Sequence, residues 1–377
     1  MNDSEPVYLD YNATTPLLPE VVEAMEPYLE EHFGNPSSGH VYGERAAEAV
    51  EQARRQVAEC IGAQPDEIYF TSGGTESNNL ALRGVCRAAE EPGHIVTSTV
   101  EHSSVRSVCD HLDSAGWRIS WVGVDRECEI FRDGSNQAIG DQTDLVSVML
   151  ANNETGTIQP VEALAERAGE VGALVHTDAA QAVGKIDVDV DELGVDLLTV
   201  AGHKLYAPKG VGALYVRSGT PVEPILHGAG QERGLRPGTE NVASIAGLGE
   251  ACRMATEDGA EQSERIEKLR DRLWEGLREE IPGVALNGHP QRRLPNTLNV
   301  RFPGARAWEL LQRAPRIAAS GGAACHDGDE EASDVLLAMG VPAEEALGSV
   351  RFSLGRQTTP DAIERAVAAM TSAYRES

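Results

Sequence analysis

From about residue 20 to residue 250 the chain alternates short apolar runs of strand length with helical patterns, and most of the runs stop in a polar or glycine-bearing cluster. "EIYFTSGGTESNNLALRGV" gives a strand near 67–71, a glycine turn and a helix from about Thr75. "HIVTSTVEHSSV" gives a strand ending near Val100, "LVSVMLANNETG" one ending near Ala151, "ALVHTDAAQAVG" one ending at Thr177 and "DLLTVAGHK" one ending near Ala201. "GVGALYVR" adds a strand antiparallel to its neighbour, because only a short turn precedes it. Such alternation leaves little choice besides a largely parallel sheet flanked by helices, an α/β fold.

At 377 residues the chain exceeds the size at which one hydrophobic core stops growing, so two lobes are expected. The polar stretch "TEDGAEQSER" (256–265) opens an amphipathic helix running to about Glu280 and serves as the entry to the second lobe. The division is a large domain over 15–257 and a smaller α+β domain from 1–14 and 258–377, the latter holding "NTLNVRF", "SVRFSLG" and a terminal helix from Pro360. A formal net charge of −28 argues against binding to nucleic acid or anionic membranes, both of which reward Lys and Arg. Spread-out acid with almost no lysine suits a high-salt environment, where screening weakens self-repulsion. The acidic N-terminus shows no apolar signal segment and no run approaches a membrane span, so a cytoplasmic protein is expected. Six cysteines scattered without CxxC spacing disfavour structural zinc and a disulfide framework, and no metal is expected.

Five strand ends carry polar groups that core packing does not require: Gly73-Gly74-Thr75, Glu101-His102, Asn152-Asn153-Glu154, Asp178 with Gln181, and His203-Lys204. In an open α/β sheet ligands bind beyond the carboxyl ends of the strands, so the fold would bring these groups to one crevice. Free N–H groups at the helix start by Gly74, with the Thr75 hydroxyl, make an anion site for one phosphate, or simply an N-capped turn. Asp178, buried at a strand end, suits a pyridinium N–H, and equally a helix cap over 179–184. His102 can stack on a flat ring or relay a proton, and can also be a structural histidine. Lys204 is one of four lysines, with Lys185, Lys209 and Lys268. Partly desolvated at a strand end, it can form a Schiff base with an aldehyde, whereas Lys209 beyond Pro208 faces solvent. Phosphate cradle, carboxylate, flat stacking group and amine together describe a site for pyridoxal 5′-phosphate. "AASGGAACHDGDEEASD" surrounds Cys325 with small and acidic residues, so the segment packs poorly, should be mobile and leaves the thiol accessible.

In order along essentially the whole chain, "YLDYNATTP", "FGNPSS", "SGGTESNN", "EHSS", "NNETG", "HTDAAQAVGK", "GHKLYAPKGVGALYVR", "GQERGLRPGTEN", the Cys325 loop and "VRFSLGR" resemble the cysteine desulfurases, in the class V aminotransferase branch of fold type I pyridoxal-phosphate enzymes. The resemblance implies that Lys204 carries the cofactor and moves protons at Cα, that His102 stacks on the ring and that Asp178 pairs with the pyridine nitrogen. It also implies that Asn153 and Gln181 contact ring substituents, that Gly74, Thr75 and His203 hold the phosphate, and that Thr239 reaches it from the second subunit of a homodimer. Arg351, with Asn153, would bind the L-cysteine substrate through its carboxylate, and Cys325 would take its sulfur and pass it to an acceptor or scaffold protein for iron–sulfur cluster or thio-cofactor synthesis. Relatives resembling this pattern carry a serine where Ala201 stands, so its phosphate contact is lost or falls to Thr199, and His326 follows Cys325 in place of the usual Ser or Thr. Selenocysteine lyase and class V aminotransferase activity share this site, and a non-catalytic assembly scaffold could share the fold.

Overall fold

The computed structural model describes residues 5–321, 325–326 and 329–377, with side chains at 325, 326, 329 and 330 left aside. Its strands are β1 (Val7–Tyr8), β2 (Ile68–Thr71), β3 (His94–Ser98), β4 (Arg118–Val122), β5 (Leu145–Ser147), β6 (Leu174–Asp178), β7 (Leu197–Ala201), β8 (Gly212–Val216), β9 (Ala285–Asn287), β10 (Thr297–Arg301), β11 (Ile317–Ala318), β12 (Cys325–His326), β13 (Asp329–Glu330) and β14 (Ser349–Ser353).

Seven of them form the central sheet in the order β2-β8-β7-β6-β5-β3-β4. The pairs from β4 across to β7 are parallel, and β8 runs antiparallel to both β7 and β2, as its short preceding turn requires. Strands β3, β5, β7 and β8 are buried at every position, which is what helices on both faces of a parallel sheet demand. From the middle of the sheet β3 and β4 extend one way and β5, β6 and β7 the other, so the loops leaving β3 and β5 diverge and open a crevice at their carboxyl ends.

Three local outcomes differ from expectation. Strand β4 has no counterpart in the sequence reading: it is an edge strand with Arg118 and Trp121 exposed, so solvent-facing positions dilute the apolar run. The run expected to end near Ala151 stops as a regular strand at Ser147, yet Val148 and Leu150 still donate to His176 and Asp178 carbonyls of β6, so the chain stays extended into the crevice. The helix expected to open at 256–265 is continuous from Val242 to Glu280. Asn241 caps it through its side chain, and Gly259 sits in open space where its missing side chain removes no contact.

That helix touches both cores. Its first half packs against the helix Val41–Cys60 over a cluster that includes Val200, Leu248 and Ala251. Its second half supplies Ile266, Leu269 and Leu273 to a separate cluster with Val7, Leu9, Leu298, Phe352 and Met370. The second cluster lies against the antiparallel sheet β14-β10-β9 and the terminal helix Pro360–Arg375. β1 pairs in parallel with β11, and Asn12 N–H donates to Ser353 Oγ, so the N-terminal segment is stitched to this second layer before it enters the crevice.

Candidate active site

A cavity of about 400 Å³ opens at the carboxyl ends of the parallel strands. Its lining brings together Gly74, Thr75, His102, Asn153, Asp178, Gln181, His203, Lys204 and Arg351, nine of the eleven residues singled out by sequence. Thr239 is exposed on the loop beyond Arg233 and is not among the lining residues. Cys325 falls where side chains are not described.

The anion cradle forms because β2 turns into the helix Gly74–Ala88 through Gly73, whose φ of 141° a side chain would strain. A Cβ on Gly74 would meet Ala201 Cβ at 3.3 Å, so the helix start lies close against the end of β7. The first intrahelical bond runs from Ser77 N–H to Gly73 O, which leaves the N–H groups of Gly74 and Thr75 ahead of the ladder. Glu76 turns away, accepting from Ser72 N–H at 2.7 Å and from Arg236 at 2.9 Å, and these partners hold its carboxyl below its ordinary value against the opposing effect of burial.

Asp178 ends β6 with its carboxylate nearly buried. Oδ1 accepts from Ala180 N–H at 2.9 Å and Oδ2 from Asn78 Nδ2 at 2.7 Å. Asn78 also donates to Ser104 Oγ, which in turn bonds His102 Nδ1 at 2.7 Å, so the histidine and the aspartate are linked through two buried side chains. His102 also accepts from Ser104 N–H as the cap of the helix Ser103–Ser114, so it both lines the pocket and holds a structural position.

Lys204 closes β7 in a short 3-10 turn. Its Nζ donates to Asn12 O at 2.7 Å and Ala13 O at 2.8 Å. Desolvation, then the charge of Arg351, brings its amine down to about 8, with Asp178 and Asp10 opposing. His203 bonds Thr14 Oγ1 at 3.3 Å, and burial with neighbouring lysines lowers its ring to about 4, so it is neutral. Lys209 is exposed.

Arg351 enters from β14 on the opposite layer. One guanidinium nitrogen donates to Asp10 at 2.7 Å, another to Asn153 O at 3.0 Å, and Nε is buried with no partner among the described residues, so the fork is held in place with donor capacity left over.

Parts of the expected clusters point elsewhere. Glu101 lies beneath the crevice, accepting from Ser98 Oγ and Met149 N–H, and burial raises its carboxyl to about 8. Asn152 caps the turn at Glu154 and Thr155, and Glu154 accepts from Ser333 Oγ at 2.5 Å. Thr199 cannot replace the serine contact missing at Ala201, because its hydroxyl is fully buried against His176 Nε2 at 3.1 Å and is absent from the pocket wall. Sequence reasoning passed over Asn12, Asn78 and Asp10 as individual residues. Asn12 and Asp10 carry no strand-end signal, and Asn78 sits one helical turn past the cradle, a spacing that could have placed it on the same face.

The aminotransferase class-V family matches residues 7–366. The chain is 48% identical over 358 residues to a cysteine desulfurase of Dictyoglomus turgidum, covering 94% of this chain and 91% of that one. It is 47% identical over 366 residues to a cysteine desulfurase of Methanosarcina thermophila, covering 96% and 90%. A solved NifS-like protein superposes with a TM-score of 0.91 at 37% identity, over 97% of this chain and 98% of that one. A solved structure of SspA in complex with cysteine gives 0.83 at 36% identity, over 93% and 99%. Nine motif residues in one crevice and relatedness over nearly the full length agree: the chain belongs to the class-V aminotransferase family, among the cysteine desulfurases.

Proposed function

We propose that this protein is a cysteine desulfurase that uses pyridoxal 5′-phosphate to take the sulfur of L-cysteine and release L-alanine. The observation that carries the reading is the convergence of the Lys204 amine, the Asp178 carboxylate, the Gly74 helix start and the Arg351 fork on one cavity of about 400 Å³. The donor set suits the cofactor: an amine of lowered basicity for an aldehyde, a buried carboxylate for a pyridinium N–H and backbone N–H groups at a helix start for one phosphate. Gly74, Thr75 and His203 would hold the phosphate, Asp178 the ring nitrogen, His102 the ring face, and Asn153 and Gln181 the ring substituents. When bound, the group supplies an electron sink for the carbon that bears the substrate amine.

The chain's own residues do the rest. Arg351 binds the substrate carboxylate through its free donor capacity, and Asn153, whose carbonyl holds that guanidinium, fixes its approach. Lys204, neutral in a substantial fraction near pH 8, removes the proton from Cα. Cys325 then forms the new S–S bond as the substrate's carbon–sulfur bond breaks, leaving a persulfide on the enzyme. The Ala201 position offers no hydroxyl to the phosphate, so the backbone N–H groups at Gly74, with Thr75 and His203, would carry that task. Thr239, exposed on its loop, would complete the phosphate site of the second subunit in a homodimer.

An acceptor or scaffold protein for iron–sulfur cluster or thio-cofactor synthesis receives the sulfur, in a cytoplasm whose salt suits a net charge of −28. Among the described residues no helix is long and apolar enough to cross a membrane. The deciding experiment measures alanine and sulfide from L-cysteine with the wild type and Cys325→Ala side by side. Alanine without any dependence on Cys325 would refute the sulfur-transfer step, and absence of both products would refute the activity.

A further inference from the structure

Beside Lys204 the pocket rests on a second amine that the chemistry above does not use. Lys185 lies in the turn after Gln181, with its carbonyl accepting from Ser263 Oγ at 2.7 Å and its N–H bonded to Ala182 O at 2.9 Å. Its stem is half-buried, bordering an outer cavity shared with Cys60, Asp187, Glu264 and Arg293. Nζ turns the other way, donating to Gln181 Oε1 at 2.7 Å and to Asn12 Oδ1 at 3.2 Å. The charged groups that act on it most are Lys204 and Arg351, both positive, and together with desolvation they hold it well below the ordinary lysine range. An amine kept in so unfavourable a setting, in a chain with three other lysines, needs a reason.

The hydrogen bonds supply one. Gln181 Nε2 donates to Asn12 O at 3.0 Å, and that same carbonyl accepts from Lys204 Nζ at 2.7 Å. A carbonyl only accepts, so Asn12 O requires the Gln181 N–H, and Lys185 Nζ meets the Gln181 Oε1 that this orientation leaves on the other side. The Asn12 side chain is fixed likewise: Oδ1 accepts from Lys185 and from Asn296 Nδ2 at 2.9 Å, which sends Nδ2 to Thr297 Oγ1 at 2.8 Å and Asn153 O at 3.2 Å. Lys185 thus donates to both side chains, Gln181 and Asn12, that stand between it and the pocket.

We propose that Lys185 is a positioning residue for the cofactor site, locking the Gln181 amide so that an N–H, not a carbonyl, faces the pocket, and holding Asn12 so that its carbonyl stays registered on Lys204. The inference rests on the cofactor reading above and deepens it. An N–H donor favours a negatively charged ring oxygen, so its loss moves the proton equilibrium of the bound cofactor to higher pH.

The test follows the visible absorbance of the cofactor-loaded protein against pH for the wild type, K185M, K185Q, K185R, Q181L and K185M/Q181L, with a chemical unfolding curve for each. The titration midpoint should rise by about one unit in K185M and K185Q. It should stay near the wild type in K185R, which keeps a donor for Gln181 Oε1, and should rise no further in K185M/Q181L than in Q181L alone. A midpoint in K185M and K185Q unchanged from the wild type would overturn the proposal, as would shifts in K185M and Q181L that add. If K185M does not fold, K185Q decides by the same criterion. Should the wild type itself show no visible band, the cofactor reading fails; a normal wild-type band untouched by K185M and K185Q removes only the role of Lys185.

Discussion

Removing the guanidinium of Arg351 should make Lys204 more basic, and the structure gives both the sign and the scale. Lys204 sits at about 8 because its pocket is desolvated and because Arg351 repels its charged form, while Asp178 and Asp10 pull the other way. Arg351→Met removes the repulsion and also frees Asp10, now bonded to Arg351 at 2.7 Å, to act on the amine alone, so both consequences raise the value. A like charge removed from the same desolvated pocket is worth about one unit or more. At pH 7.5 a lysine titrating near 8 is roughly one quarter neutral, whereas one near 9 is only about 3% neutral, so the reactive amine falls roughly eightfold. The assay is the rate at which cofactor-stripped protein regains its visible band on adding pyridoxal 5′-phosphate, followed from pH 6.5 to pH 10. The wild-type rate should rise with an inflection near 8, and that of Arg351→Met near 9 or above. A wild-type inflection near the ordinary 10.5, or a downward displacement in Arg351→Met, would refute the electrostatic account of this pocket.

Other expected outcomes are simpler to read. Lys204→Ala should abolish the visible band of the purified protein, and an unchanged band would assign the cofactor to another lysine. Cys325→Ala should keep that band and release no sulfide from cysteine. Asp178→Asn should lower retention of the cofactor through dialysis, since the amide cannot neutralise a pyridinium; equal retention would remove Asp178 from the ring site. Glu232→Ala should destabilise by about 3–5 kcal/mol in chemical unfolding, because it strands Arg54 in a buried site, and Arg54→Met added to it should recover part of the loss. Full additivity of those two changes would show that the pair is not coupled.

The sheet and its crevice were legible because strand ends announce themselves: a buried strand is an apolar run, and polar residues where it stops have no reason to be there unless something binds. That logic found Lys204, Asp178, His102, Asn153 and the Gly74 cradle, and they share one pocket. It could not separate neighbours within a cluster. Glu101 and His102 are adjacent, yet one points into the core at Met149 and the other lines the pocket, since alternate residues of an extended chain face opposite sides. Nor could it find partners that arrive from a distance. Asp10 and Arg351 meet across 341 positions, and Asn78 reaches Asp178 across 100. The edge strand β4 and the uninterrupted helix Val242–Glu280 were lost for a different reason, since each is only half-buried and its exposed face obscures the periodicity.

The buried pair Arg54–Glu232 shows how a contact outside the pocket supports its geometry. Glu232 Oε1 and Oε2 accept from both terminal nitrogens of Arg54, at 2.7 and 2.8 Å, and Oε2 also accepts from Phe70 N–H at 2.8 Å, with the two side chains 2% and 5% exposed. Phe70 belongs to β2, two residues before the turn that positions the Gly74 helix start, so the pair ties that strand to the loop carrying Arg236 and Thr239. The loop accepts left-handed backbone at Glu232 and Arg233, with φ of 45° and 53°, a conformation these residues adopt only when surrounding contacts enforce it. Arg236 then reaches back to Glu76 in the first turn of the same helix at 2.9 Å. Two ion pairs thus brace the anion cradle from outside the cavity, one at the strand that enters the turn and one at the helix that leaves it. Because each pair bonds directly to the strand or helix that forms the turn, weakening either should loosen the cradle's hold on phosphate before it disturbs Lys204, which is held by its own bonds to the Asn12 and Ala13 carbonyls.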